Sequence, residues 1–299
     1  MITNLSTLVE LAKKNPKVVS VAAAEDEVVI SSAREAYLEG IATFRFYGSA
    51  DKIEKMCSAL NFKEGYTIID CKNKAESIKS AILSVSSGES QLLMKGYIKT
   101  GELLSAFLKD EFNLKTGRTM NLVTVFELER YHKLLLVTDA GMVISPDLQQ
   151  KADSIVNAAS VARALGIEVP KVAILAAVEV VNPKMQATLD AAVLSQMAAR
   201  GQLGMVEVDG PFALDNAISA EAAKHKGIVS PVAGDADIVI MPDIEAGNIF
   251  YKAMAFLSGA ELASTIVGGK VPIILTSRAD SERTKLQSIA LNVVLAGGV

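Results

Sequence analysis

KVVSVAAAEDEVVISSAREAYLEGIATFRFYG, Lys17 to Gly48, decides the fold class. Lys17 to Ala24 is a run of β-branched and small apolar residues and reads as a strand. Glu27 to Gly40 reads as a helix. Thr43 to Tyr47 is a second strand, and Gly48-Ser49 turns the chain into another helix ending near Leu60. Strand, helix and strand in that order are the signature of a parallel sheet covered by helices, an α/β class of fold.

Downstream the alternation continues. Tyr66 to Asp70 is a third strand, and Asn73 with Glu76 has the spacing of a capping box for the next helix. Leu92 to Lys95 is a fourth strand, followed by a helix from about Gly101 to Lys109. The rhythm then changes. Asn121 to Leu128 and Leu134 to Thr138 are adjacent strand-like runs with no room for a helix between them, which predicts an antiparallel pair. A long helix follows from Asp147 to Gly166, with Gly166 placed to end it. Lys171 to Ala177 is a strand, and Asn182 is expected to cap a helix with Pro183 at its first position. Met205 to Asp209 is a strand before a helix ending near Gly227. Ile238 to Met241 is a strand before a helix from about Glu245 to Leu257. Thr265 to Val267 and Pro272 to Leu275 are the last strands. The final helix aligns Leu286, Ile289, Ala290, Val293 and Val294 on one face. The pattern predicts two α/β lobes, 1–138 with 265–299 and 139–264, the chain crossing near Thr138 and again near Ser264.

Composition narrows the function. Of 299 residues, 50% are hydrophobic, so a sizeable core can be buried, but only 5% are aromatic and none is Trp. A net charge of −4 and the absence of a basic run argue against nucleic acid as a partner. Cys57 and Cys71 form no C-x-x-C pair, so neither a disulfide framework nor a zinc site is expected, and a reducing cytoplasm is the natural location. Charged residues interrupt every apolar run, and Met1 to Glu10 has no signal-peptide pattern, so neither membrane insertion nor export is expected.

Chemistry concentrates in three places. In Leu275-Thr276-Ser277-Arg278-Ala279-Asp280-Ser281 a buried strand gives way to a helix whose first turn offers free N–H groups. Ser277 adds a hydroxyl and Arg278 a forked cation, a set that suits phosphate. The plainer reading is a helix capped by Ser277 with Asp280, or by Ser281, with Arg278 on the surface. Ser230, Gly234 and Asp235, then Asp243, Gly247 and Asn248, flank the strand Ile238 to Met241. They read either as a ligand loop at a strand end or as turns with Asx capping. Asp209 with Gly210-Pro211 and Asp215, and Glu179 with Asn182, lie just past other strands. His132 and His225 are weak candidates, and no metal set forms from histidines and cysteines. Gly268-Gly269-Lys270 lacks the rest of a phosphate loop, and no G-x-G-x-x-G occurs, so a nicotinamide fold has no support.

These segments together resemble a family. SPVAGDADIVIMPDIEAGN (Ser230 to Asn248) with Tyr251-Lys252 resembles the signature region of the phosphate acetyl/butyryltransferases, and LTSRADS (Leu275 to Ser281) their C-terminal Ser-Arg element. VEVDGPFALDNAIS (Val206 to Ser219) and LLVTDAGM (Leu135 to Met142) also fit, so the resemblance runs from at least Asn121 to the C-terminus. VFELERYHKLLLVTDAGM (Val125 to Met142) and AAVEVVNPKM (Ala176 to Met185) look closer to the butyryl branch. The resemblance implies the two-lobed α/β/α fold of the isocitrate and isopropylmalate dehydrogenases, with the active site between two domains. It also implies a homodimer or higher homo-oligomer. Acyl-CoA and inorganic phosphate are the implied substrates, and no cofactor is implied. The dehydrogenase relatives bind metal through paired aspartates after a Pro-Asp-like turn. Here Gly247 stands four positions after Asp243, so the pair is absent and no metal is expected.

The resemblance carries catalysis and coenzyme A binding to Ser277 and Arg278. The family's proposed base, seven positions after the serine, falls on Thr284, so Asp280 is the acid–base candidate and Glu282 lies near. The family's usual cysteine after Asp139 is Ala140. Ser230, Gly234, Asp235, Asp243, Gly247, Asn248 and Asp209 are the candidate substrate-binding residues. The expected reaction is direct acyl transfer, oriented in a ternary complex without a covalent intermediate. Rivals are an acetyl-specific enzyme, an oxidoreductase of the dehydrogenase fold, and a non-catalytic coenzyme A-binding protein.

Overall fold

The computed structural model describes residues 2–275 and 280–297. The chain runs α1 (Ser6–Ala12), β1 (Lys17–Ala22), α2 (Glu27–Leu38), β2 (Ala42–Gly48), α3 (Ala50–Ala59), β3 (Tyr66–Asp70), α4 (Lys74–Ser86), β4 (Leu92–Lys95), α5 (Thr100–Phe107) and a short 3-10 turn, Asp110–Phe112. It continues through β5 (Asn121–Glu127), β6 (Leu135–Thr138), α6 (Leu148–Ala164), β7 (Lys171–Leu175), α7 (Gln186–Ala199), β8 (Glu207–Phe212), α8 (Leu214–Ile218), α9 (Ala220–His225) and β9 (Ile238–Ile240). Then come α10 (Ile244–Lys252), a π-helical stretch Ala253–Leu257, β10 (Glu261–Val267), β11 (Ile273–Ile274) and α11 (Glu282–Leu295).

Two compact units result: Met1–Asn4 with Arg118–Leu262, and Leu5–Gly117 with Ala263–Val299. The first division falls at Gly117, not near Thr138 as the sequence suggested. The reason is the hydrogen-bond ladder. β5 pairs antiparallel with β6, as the missing helix between them predicted, and β6 pairs in parallel with β9, Leu136 opposite Ile238. Both strands therefore belong with residues 118–262.

In the unit built from Leu5–Gly117, the strand order is β3-β2-β1-β4-β11-β10, parallel except for β10 against β11. Its opening strand–helix–strand is the parallel pair that Lys17 to Gly48 predicted, Lys17 opposite Ala42. Asp26 caps α2 by accepting from Val28 N at 3.0 Å. Asn73 caps α4 through Glu76 N at 3.0 Å, but Glu76 reaches back to Lys72 N at 2.8 Å, so the reciprocal box is displaced by one residue. The last helix is buried over most of its surface: Ile289, Ala290, Leu291 and Val293 are joined by Gln287, Ser288 and Asn292. The polar members tie it to β10. Ser288 Oγ accepts from Ser264 N at 3.0 Å, and Asn292 Nδ2 donates to Ser264 O at 3.1 Å.

In the unit built from Arg118–Leu262 the order is β5-β6-β9-β7-β8. Phe126, Leu135, Val137, Ala173, Phe212, Val232 and Val239 form one core, each side chain nearly or fully out of water. Burial of each large aliphatic or aromatic side chain contributes about 1.5–3 kcal/mol. α6 starts on a full capping box, Asp147 accepting from Gln150 N and Gln150 from Asp147 N, at 2.8 and 3.0 Å. Asn182 does not cap α7. Its Oδ1 accepts from Lys184 N at 3.0 Å in a local turn, its own N–H donates to Thr188 Oγ1 at 2.9 Å, and the helix begins at Gln186. Among the described residues no helix is long and apolar enough to cross a membrane.

Candidate active site

Within the unit of residues 118–262, the parallel register brings the C-terminal ends of β6, β9 and β7 side by side: Thr138 opposite Ile240, and Ile240 opposite Ile174. That edge of a parallel sheet is where α/β proteins bind ligands. The chain leaves β6 into Asp139, buried at 6% exposure. The Asp139 carboxylate accepts from Gly141 N at 2.6 Å, Met142 N at 2.8 Å and Leu122 N at 3.0 Å. Burial pushes this carboxyl above the ordinary aspartate range, and those backbone N–H bonds pull the other way. Behind it runs a buried polar chain. Asn121 Nδ2 donates to Thr138 Oγ1 at 2.6 Å, and Asn157 Nδ2 donates to Asn121 Oδ1 at 2.7 Å.

From β9 the chain turns at Asp243 into α10. Asp243 is the helix N-cap, accepting from Ala246 N at 2.8 Å. Gly247 lets the helix approach the loop after β6: a Cβ there would lie 2.1 Å from Asp139 O. Asn248 Nδ2 then donates to Ala140 O at 3.1 Å. Asp243, Gly247 and Asn248 thus converge with Asp139 and Ala140 on one edge. The sequence reading did not single out Asp139 as a site residue. Its only signal was an aspartate directly after a buried strand.

Ser230, Gly234 and Asp235 lie at the opposite end of β9. Ser230 Oγ accepts from Val232 N at 3.2 Å in a local turn. Gly234 has φ 75°, and a Cβ on it would lie 2.4 Å from Ala220 Cα, so backbone crowding accounts for the glycine. Asp235 is held by three side chains: Lys171 Nζ at 2.6 Å, Lys133 Nζ at 2.9 Å and His132 Nε2 at 2.9 Å. Partial burial would raise the Asp235 carboxyl, but hydrogen bonds from Lys171, Lys133 and His132 prevail and hold it well below the usual range. Lys133 also reaches buried Asp237 at 2.7 Å, and Lys171 N donates to Asp237 Oδ2 at 2.8 Å. Lys171 begins β7, so this ion cluster marks the N-terminal ends of the strands. The seven candidate binding residues therefore do not form one group.

Asp209 lies within β8 and accepts from Gly210 N at 2.8 Å, next to a cis Gly210–Pro211 bond. Beyond β7 and β8, Lys226 bridges Glu179 at 3.3 Å and Asp215 at 3.7 Å. His225 is exposed at the end of α9.

Ser277 and Arg278 lie outside the described residues. Asp280 is described, half-buried just ahead of α11. Ser281 caps that helix, accepting from Thr284 N at 3.1 Å, and its Oγ donates to Thr284 Oγ1 at 3.0 Å. Thr284, which stands where the resemblance placed a base, thus takes part in the cap as an acceptor through Oγ1.

The geometry defines an α/β protein with a polar, backbone-anchored edge at the C-terminal ends of its parallel strands. Comparison with known proteins then supplies the family. The profile of the phosphate acetyl/butaryl transferase family matches residues 63–293, and the chain belongs to this family of enzymes. It is 50% identical over 293 residues to a phosphate acetyltransferase of Thermotoga maritima, covering 98% of this chain and 99% of that one. It is 43% identical over 291 residues to a phosphate butyryltransferase of Clostridium acetobutylicum, with 97% of each chain covered. A branched-chain phosphotransacylase from Enterococcus faecalis superposes with a TM-score of 0.82 at 32% identity, over 94% of this chain and 99% of that one.

Proposed function

We propose that the chain moves a short acyl group between coenzyme A and inorganic phosphate, with butyryl-CoA favoured over acetyl-CoA. The observation carrying the phosphate acyltransferase reading is the family match over residues 63–293, together with near-full-length relatives named for acetyl and butyryl transfer. In the proposed reaction a phosphate oxygen attacks the thioester carbonyl carbon. The C–S bond breaks, the sulfur leaves as thiolate and takes up a proton, and acyl phosphate is released. Arg278 would neutralise phosphate or coenzyme A charge, and Ser277 would hydrogen-bond the developing oxyanion or the leaving sulfur. Asp280 would handle the proton. Orientation and charge stabilisation would supply most of the acceleration. Neither metal nor nicotinamide is part of the proposal. The finer architecture of the isocitrate/isopropylmalate dehydrogenase type, a homodimer or higher homo-oligomer, and a cytoplasmic location belong to it.

The butyryl preference draws support from Val125 to Met142 and Ala176 to Met185. The 50% identity to an acetyltransferase favours the acetyl reading instead. Two extra methylenes in a fitted pocket are worth about 1.6 kcal/mol, or roughly tenfold or more in kcat/KM. Release of free thiol from acetyl-CoA and butyryl-CoA, with phosphate present and absent, tests both levels. Equal or higher kcat/KM for acetyl-CoA removes the butyryl preference. Thiol release that does not depend on phosphate removes the transferase reading itself.

A further inference from the structure

In the unit built from Leu5–Gly117 and Ala263–Val299, a cavity of about 330 Å³ opens beside α2 and the first turn of α11. It is lined by Glu27, Ser31, Glu35, Leu60, Glu282 and Lys285, among others. Lys285 is 6% exposed, so nine-tenths of it is out of water. An ammonium has three donors to satisfy, yet among the described residues no side chain gives Lys285 a hydrogen bond or an ion pair. The stem of Lys285 is packed while its ammonium opens on the cavity, leaving its donors for whatever enters there.

The surrounding charge narrows the occupant. Glu35 is paired with Arg34 at 2.6 Å, while Glu27 and Glu282 are exposed at the cavity and have no ion pair among the described residues. A simple anion would satisfy Lys285 but meet these carboxylates. A simple cation would satisfy the carboxylates but leave Lys285 facing like charge. A divalent metal is no better, because among the described residues no three acidic, histidine or cysteine side chains gather closely enough to hold one. A molecule with a carboxylate at one end and an ammonium at the other meets both demands. Ser31 and Ser32 supply hydroxyls, Ser32 Oγ already donating to Val28 O at 2.7 Å and so keeping acceptor capacity. Val28 and Leu60 supply an apolar wall. At about 30 Å³ per water-sized volume the cavity holds roughly eleven, the size of a small amino acid with room to spare.

We propose that this cavity is a binding site for a small zwitterion of the amino-acid class, its carboxylate on Lys285 and its ammonium toward Glu27 and Glu282. The cavity adjoins the first turn of α11, two residues past Asp280, and its test reads binding directly, so it does not depend on the acyl-transfer reading. The test is isothermal titration of the full chain with three matched probes: L-valine, isovalerate, which lacks the ammonium, and isobutylamine, which lacks the carboxylate. L-valine should bind at least tenfold more tightly than either. Lys285→Met, which keeps the buried stem, should weaken L-valine at least tenfold while circular dichroism shows an unchanged fold. Glu282→Gln, at an exposed position, should weaken L-valine but not isovalerate, and it supplies the test if Lys285→Met does not fold. No binding of L-valine at millimolar concentration overturns the proposal. So does isovalerate binding as tightly as L-valine, or L-valine binding that neither substitution changes.

Discussion

Gly247→Ala separates two accounts of the same residue by sign. A glycine inside a helix with open space around it is a weak point, and Ala there should stabilise by up to about 1 kcal/mol. The geometry around α10 requires the opposite. The added methyl carbon would stand 2.1 Å from Asp139 O and 3.0 Å from Ala140 Cα, both main-chain atoms. Neither can rotate away as the end of a long side chain could. Ordinary contact lies near 3.4 Å, so helix and loop must part by roughly one ångström, and overpacking of this kind costs about 1–3 kcal/mol.

The same displacement lengthens the bond from Asn248 Nδ2 to Ala140 O, now 3.1 Å, and tilts the loop that carries Asp139. If this edge positions substrate, a misplacement of that size lowers kcat/KM by up to about a hundredfold. Urea denaturation followed by circular dichroism measures the first effect, and steady-state acyl transfer measures the second. A Gly247→Ala protein as stable as the parent, or more stable, refutes the close-approach argument. A destabilised variant with unchanged kcat/KM keeps that argument and removes this edge from the site.

Lys151 and Asp190 form a buried ion pair at 2.6 Å, with Gln186 Nε2 donating to Asp190 at 2.8 Å. Lys151→Met should cost about 3–5 kcal/mol in urea melts, and adding Asp190→Leu should restore most of it; equal loss in single and double variants would show no coupling. Asp235, depressed in the folded state by its lysine and histidine partners, contributes stability that is present above its unfolded value of about 3.9 and lost as pH falls toward the folded one. Melts of Asp235→Asn should therefore differ from the parent at neutral pH and converge with it in strong acid, with a discount for solvent screening because the side chain is 39% exposed. For the C-terminal element, Arg278→Ala should lower kcat/KM by roughly 30- to 150-fold, from about 2–3 kcal/mol for a charge-assisted bond, and Arg278→Lys should not rescue it. Near-parent rates in both would take Arg278 out of the site.

Strands were legible where a β-branched run stands between turn residues: Tyr66–Asp70 and Leu92–Lys95 have the bounds their sequence suggested. Helix starts were less so, because a capping pattern has competing uses. Asn182-Pro183 has the letters of an N-cap followed by N1, but Thr188 Oγ1 takes the Asn182 N–H and the side chain closes a turn instead. α1 went unseen. It is short and its N-terminus has no side-chain cap, so local signals barely mark it, although Leu8 on it is fully buried. Asp235 and Asp243 read as one motif in the sequence. The β9 strand between them places one among lysines and the other on a helix N-cap. Asp139 depends on Leu122 N from β5, a neighbour that only strand pairing supplies.

The edge at the ends of β6 and β9 is built almost wholly from backbone contacts. Asp139 accepts from main-chain N–H groups, Gly247 contributes the lack of a side chain, and Asn248 grips a carbonyl. Asp243, the acidic residue of this edge after Asp139, is occupied in capping α10. Such an arrangement fixes the position of a loop, and the residues described on it bring no cation to an anionic substrate. If this family member binds phosphate and coenzyme A, the charge must come from elsewhere in the chain, and Arg278 in its Ser-Arg element is the residue the sequence supplies. Substitutions at Gly247 and Asn248 should then act through positioning, lowering kcat for all acyl chains alike. Arg278→Ala should instead raise the KM for phosphate or coenzyme A. A Gly247→Ala enzyme whose whole loss lies in the KM for phosphate would break that division of roles.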